Sequence, residues 1–134
     1  RIGTVPLGVH AHPDYLAGRP HPVHFADLAG HRLIGPQSDS PTLRAVQAAG
    51  FPVKLGELGF RSDSDHAQLA AIRAGLGIGI CQLPIGTRDG LVRLLPDFRL
   101  DLETWVVCHE DLRGLARVRT VFDALVAGLQ AYLG

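Results

Sequence analysis

Hydrophobic positions alternate with others at the start of the chain, where Val5, Leu7 and Val9 fall two apart, and this predicts a strand from Thr4 to Ala11. Pro13 cannot continue a strand ladder but can open a helix, so a short helix is expected next. The stretch "GRPHPVHFADLAG" reads as a loop with one helical turn at Phe25 to Ala29, and "HRLIG" as a short strand. Two later segments carry start and stop signals. Ser40 as N-cap, Pro41 at the first helical position and Gly50 past the end, followed by Pro52, predict a helix over Pro41 to Ala49. Ser64 as N-cap, an early Asp65 and Gly75 at the exit predict a second. Between them "VKLGELGFRSD" reads as a strand interrupted by Gly56 and Gly59.

The glycines of "RAGLGIGICQLP" invite comparison with a phosphate-binding loop, and direction decides against it. Such a loop runs strand, glycines, helix, because the phosphate sits on the free N–H groups of the helix start. Here the order is helix, glycines, strand, so Gly75 is expected to close a helix and "GIGICQL" to form a buried strand with no helix behind it. A loop at "IGTRDG", then "LVRLLPDF", and a strong strand at "ETWVVCH" complete the middle of the chain. At the end, Leu115, Val118, Val121, Phe122, Leu125, Val126, Leu129, Tyr132 and Leu133 recur at intervals of three and four, predicting an amphipathic helix with one broad buried face. The alternation of strands and helices argues for an α/β fold, a mixed and mostly parallel sheet with flanking helices.

Composition narrows the function. Apolar residues make up 46% and charged residues 19% of the 134 positions, which points to a folded domain rather than disorder. Basic and acidic residues balance at 13 each, so the chain has no excess positive field with which to hold nucleic acid, and Arg113, Arg117 and Arg119 read as a solvated helix start. No apolar run of about 18 residues is present, so no membrane partner is expected. Cys81 and Cys108, both in apolar sequence, suggest small hydrophobes rather than a disulfide scaffold, consistent with a reducing, cytoplasmic setting. The chain opens on Arg1 and contains no methionine, which predicts a piece of a longer product.

Candidate chemistry is sparse. His10 and His12 would share one face of a strand, a spacing that can hold zinc, but no third ligand stands at a fixed distance, so no metal and no cofactor is expected. No Gly-x-Ser-x-Gly, His-Glu-x-x-His or Cys/His/acid cluster is present, and no catalytic residue is assigned. More informative are the helix starts "SDSPT" and "SDSD", each following a strand and so placed at one sheet edge. Their hydroxyls and free N–H groups suit a small polar or carboxylate ligand, on top of ordinary capping. The same edge is where open α/β sheets bind ligands.

Taken together, "VPLGVHAHPDYLA", "ADLAGHRLIG", "FRSDSDHAQLAAIRAGLGIGICQLP", "GLVRLLPDF" and "TWVVCHEDLRGLARVRTVFDALVAGL" resemble, in order and along almost the whole chain, the C-terminal part of LysR-type transcriptional regulators. The resemblance implies a periplasmic-binding-protein-like (type II) α/β lobe in an effector domain of two lobes. About 12–100 would form the second lobe, and about 1–11 and 101–134 the crossover strands and C-terminal helix of the first. DNA would be bound only through an N-terminal winged helix-turn-helix that this chain lacks. The implied partners are a small polar or anionic effector, held between lobes, and further copies of the regulator. Carried over by position, the effector contacts fall on Gln37, Ser38, Asp39, Ser40 and Thr42, with Ser62 and Ser64 on the same edge. His10 and His12 depart from the aromatic and small polar residues frequent in the family. A solute-binding lobe for transport, or a metal- or cysteine-dependent enzyme, are the alternatives. The apolar face of the last helix, each large residue contributing about 1.5 to 3 kcal/mol if buried, predicts self-association where nothing else covers it.

Overall fold

Strand β1, Gly3–Ala11, runs through both of the compact units into which the chain divides, Arg1–Val5 with Asp101–Gly134, and Pro6–Leu100. The structure is a computed structural model that describes all 134 residues. In the larger unit β1 is followed by α1 (Pro13–Leu16), a 3-10 turn at Phe25–Gly30, β2 (Leu33–Gly35), α2 (Pro41–Ala48) and a 3-10 turn at Leu55–Glu57. Next come β3 (Leu58–Arg61), α3 (Asp65–Arg73), β4 (Ile78–Gln82), α4 (Leu83–Arg88) and β5 (Val92–Leu94). The strands lie in the order β3-β2-β4-β1-β5. Strand β2 is parallel to β3 and β4, whereas β1 is antiparallel to β4 and β5. The sheet is therefore mixed as expected, with a larger antiparallel share than strand and helix alternation alone suggests.

Opposed residues of an antiparallel pair face the same side, and alternation along each strand sorts the core into two layers. Val9 stands opposite Ile80 and Leu94, and Ala11 opposite Ile78. With Leu33, these positions face a cluster completed by Tyr15, Leu16, Leu28, Leu43, Val46, Phe51, Val53 and Phe98. Phe25, Phe51 and Phe98 meet there edge to face at centroid separations of 5.5, 6.4 and 5.4 Å, the arrangement their ring quadrupoles favour. The other face carries Ile34, Ala71, Ile72, Cys81 and Leu91. A side chain at Gly79 would fall 2.7 Å from Ile72 Cδ1, so glycine there lets α3 pack directly on β4.

Three helices of this unit end alike. After α2, the N–H of Phe51 donates to Val46 O at 3.2 Å and that of Gly50 to Gln47 O at 3.1 Å. After α3, Leu76 donates to Ala71 O at 3.1 Å and Gly75 to Ile72 O at 3.0 Å. Both patterns satisfy the last carbonyls through a left-handed residue, with φ of 102° at Gly50 and 72° at Gly75. The glycines of "RAGLGIG" thus have structural work: Gly75 closes a helix, and a side chain at Gly77 would collide with the Arg32 carbonyl, which accepts the Ile78 N–H at 2.8 Å.

The third such ending corrects the expected loop after Pro84. Leu83–Arg88 is helical, and Leu91 N–H donates to Gly86 O at 2.9 Å across Gly90. Its start carries no capping side chain at Gln82, while its stop repeats the glycine-then-apolar pattern of "AAGF" and "RAGL". The helix lies behind β4, but the glycines precede that strand, so the exclusion of a phosphate loop stands. The strand expected at "VKLGELGFRSD" is a 3-10 turn followed by β3, since Glu57 caps its own turn by accepting the Lys54 N–H at 3.1 Å.

In the smaller unit β6 (Leu100–Thr104) pairs with β1. Ile2 N–H donates to Thr104 O at 2.8 Å, and Arg1 meets Glu103 at 3.2 Å. A 3-10 turn at Glu110–Leu112 leads to α5, Ala116–Leu133. Gly3 lies against Leu133. Two expectations are corrected here. The strand predicted over "ETWVVCH" stops at Thr104, and Trp105 and Val107 are 57% and 81% exposed, because no neighbouring strand extends the ladder. The C-terminal helix forms as predicted, but its apolar face is only partly covered: Val118, Phe122, Val126, Leu129 and Leu133 are half-buried and none is fully buried, because periodicity specifies a face without supplying what covers it. No helix in the chain is long and apolar enough to cross a membrane.

Candidate functional site

Because β2 and β3 are parallel neighbours in register at Gly35 and Arg61, their carboxyl ends share one edge, and the loops leaving them emerge side by side. Ser62 N–H donates to Gly35 O at 2.9 Å, carrying the pairing one residue beyond the strands. The loops then lead into α2 and α3, so both helix starts named in the sequence stand at this edge.

Each serine hydroxyl there has a defined partner. Ser40 Oγ accepts the Leu43 N–H at 3.1 Å and Ser64 Oγ the Ala67 N–H at 3.2 Å, as N-caps. Ser62 Oγ accepts the Ser64 N–H at 3.2 Å, and Ser62 O accepts from Gln68 Nε2 at 2.7 Å. Asp39 lies 3.4 Å from the guanidinium of Arg44. Gln37 and Thr42 are exposed on the same edge. All seven residues anticipated from sequence thus belong to these two neighbouring loops and the first turns of their helices.

Sequence reasoning missed the residue that ties the loops together. Asp63 Oδ1 accepts the N–H groups of Gln37 at 2.9 Å and of Ser38 at 3.0 Å, and Asp63 Oδ2 accepts the Ser38 hydroxyl at 2.7 Å. The Ser38 hydroxyl and then its backbone N–H hold the Asp63 carboxyl below the ordinary carboxylate range; desolvation opposes them, and the Gln37 N–H adds a smaller lowering. A signal was present in "SDSD": an acid at the end of a strand beside a loop with free N–H groups is an available acceptor for them.

The histidine pair expected on one strand face separates. The strand ends at Ala11, and His12 turns its ring to cap α1, with Nδ1 accepting the Asp14 N–H at 3.0 Å. His10 is 2% exposed, with Nδ1 2.9 Å from Gly8 O and 3.4 Å from Cys81 Sγ. Burial, opposed by the Gly8 hydrogen bond and aided by the nearby Arg93 charge, lowers its pKa. Burial likewise pushes the Cys81 thiol up to about 11, as befits a thiol packed like a small apolar side chain. Cys108, expected in a strand, is instead exposed. No group of three or more His, Cys, Asp or Glu side chains is placed to hold a metal ion.

In the smaller unit an apolar groove of about 420 Å³ runs between Val106–Cys108 and the α5 residues Val118, Val121, Phe122 and Leu125. Arg113, just before α5, and Arg117 and Arg119, in its first turn, stand exposed.

A family model described as the LysR substrate binding domain matches residues 1–130. No curated protein matches the chain. Among solved structures the chain is similar to the regulatory domain of CrgA, a LysR-type transcriptional regulator from Neisseria meningitidis. That likeness has 22% identity and a TM-score of 0.75, over 99% of this chain and 67% of that one. It is also similar to the effector domain of AmpR of Pseudomonas aeruginosa, at 20% identity and a TM-score of 0.62, over 97% of this chain and 66% of that one. Full-length AphB, a Vibrio cholerae virulence activator, matches at 24% identity and a TM-score of 0.59, over 97% of this chain and 46% of that one. At these identities the likeness establishes the fold. The chain spans about two thirds of the isolated domains and less than half of full-length AphB.

Proposed function

We propose that this chain, which belongs to the LysR substrate binding domain family, is an effector-sensing part of a transcriptional regulator, binding a small polar or anionic metabolite at the edge built by the loops after β2 and β3. The observation that carries this reading is the convergence of Gln37, Ser38, Asp39, Ser40, Thr42, Ser62 and Ser64 on one edge of a parallel strand pair, where α/β sheets take their ligands. Binding changes the regulator only insofar as the ligand favours one arrangement of the protein over another. DNA is engaged through a separate domain, the working form is an oligomer, the setting is cytoplasmic, and no catalysis is involved.

The test is thermal denaturation of the full regulator chain against small carboxylates, aromatics and amino acids. A ligand at 100 times its Kd stabilises the native state by about 2.7 kcal/mol, a readily measured rise in Tm. The expected result is such a rise for at least one compound, abolished by Ser38→Ala and Ser40→Ala. If no compound stabilises the protein, or the rise survives both substitutions, the effector reading of this edge is wrong.

A further inference from the structure

The loop after β2 offers three convergent donors, the N–H groups of Gln37 and Ser38 and the Ser38 hydroxyl. This is the kind of donor set with which proteins hold a ligand carboxylate. All three already point at one carboxylate, and it belongs to the protein. Asp63 takes them at 2.9, 3.0 and 2.7 Å across 26 and 25 residues of chain. The contact is not an incidental surface pairing. Both oxygens are used, the Gly35–Ser62 backbone bond at 2.9 Å fixes the distance between the loops, and no Lys or Arg takes part.

We propose that Asp63 is a specificity-determining residue of this edge: its carboxylate fills from within the fold the donor set a ligand carboxylate would take, so the Gln37–Ser38 loop turns carboxylates away. The inference rests on the ligand-binding reading of the edge and narrows it. With its proton given to Asp63, the Ser38 oxygen is left as an acceptor on an exposed residue, beside an exposed carboxylate. The loop therefore meets ligands through their own donors, hydroxyl or amine, and an anionic group on the ligand has to be held elsewhere. A tethered carboxylate has the advantage of proximity over a free one, since its partner loop is always within reach.

Removing the tether tests this. In Asp63→Ala the donors are left without an acceptor, and sodium acetate should enter. Acetate titrated into the protein should then shift the Gln37 and Ser38 amide resonances saturably and raise the Tm, while sodium chloride at equal ionic strength does neither. The wild type should show no saturable shift at those amides over the same range. Asp63→Asn, whose carbonyl accepts from both N–H groups and whose amide can donate to Ser38 Oγ, should behave like the wild type. Where the Ala variant does not fold, Asp63→Ser, too short to span the gap, takes its place. The proposal is overturned if the shortened variants gain no acetate response, or if the wild type responds equally. This outcome is independent of whether an effector is found, because acetate reports on the three donors alone, whereas the effector reading stands or falls on the ligand panel.

Discussion

A methyl group on Gly86 would land on the imidazole of His10, 2.5 Å from Cδ2 and closer still to Nε2. Helix α4 can lie against β1 only because that position has no side chain. His10 cannot yield, since its ring is buried and held by Gly8 O at 2.9 Å.

Gly86→Ala is therefore expected to destabilise the protein. Overpacking of this kind costs about 1–3 kcal/mol, and against a buried, held ring it outweighs the gain of about 1 kcal/mol in helix propensity. Gly128→Ala in α5, where an added Cβ meets nothing within 4 Å, should collect the propensity gain alone. Urea unfolding midpoints should move in opposite directions for the two variants, and a rise for both would show that the α4 contact is looser than described.

His10 also sets an acid sensitivity. Its folded-state pKa lies below the ordinary 6.5, so below pH 6.5 the unfolded chain takes up a proton that the folded chain resists. The contribution is whole above pH 6.5 and is lost as the pH falls from there toward the folded value. The carboxyls of Asp27, Asp63 and Asp89 are depressed below 3.8, so their contributions persist until the pH drops under that value. Tm measured between pH 7 and 5 should fall, and His10→Gln should flatten the fall.

The two cysteines should differ sharply in reactivity. Cys108 is exposed, whereas Cys81 is buried with its thiol pushed up to about 11. Ellman's reagent at pH 8 should modify one thiol of the native protein promptly and the second only in denaturant, and Cys108→Ser should remove the prompt reaction. Prompt modification of both would mean that β4 opens readily.

The groove of the smaller unit predicts self-association. Trp105, Val107, Val121 and Leu125 are each at least half exposed on one small unit, an apolar surface of the kind that marks association sites. Sedimentation velocity at micromolar concentrations should find species larger than a monomer, and Val121→Glu with Leu125→Glu should shift the distribution toward monomer. A monodisperse monomer before substitution would refute the expectation.

Local signals were legible where the chain carries its own punctuation. The caps at Ser40 and Ser64 and the exits at Gly50 and Gly75 were readable because capping is satisfied within a few residues. Helix α4 shows the converse: its exit at Gly90 matches theirs, but its entry has no capping side chain, and half a signal does not distinguish a short helix from a loop. Strand β6 failed differently. "ETWVVCH" has every local preference for a strand, yet a strand needs a neighbour to receive its hydrogen bonds, and past Thr104 there is none.

By itself, the order of residues determined the alternation of elements, the capped helices, the exclusion of a phosphate loop and the edge at which polar groups gather, because each depends on residues close in the chain. Tertiary structure alone decided that His10 is buried while His12 caps a helix, that the apolar face of α5 is only partly covered, and that Asp63 closes the Ser38 loop. Those outcomes depend on partners tens of residues away or on surfaces that local pattern cannot supply, and a contact such as that from Asp63 to Ser38 exists only once two parallel strands have brought their ends together.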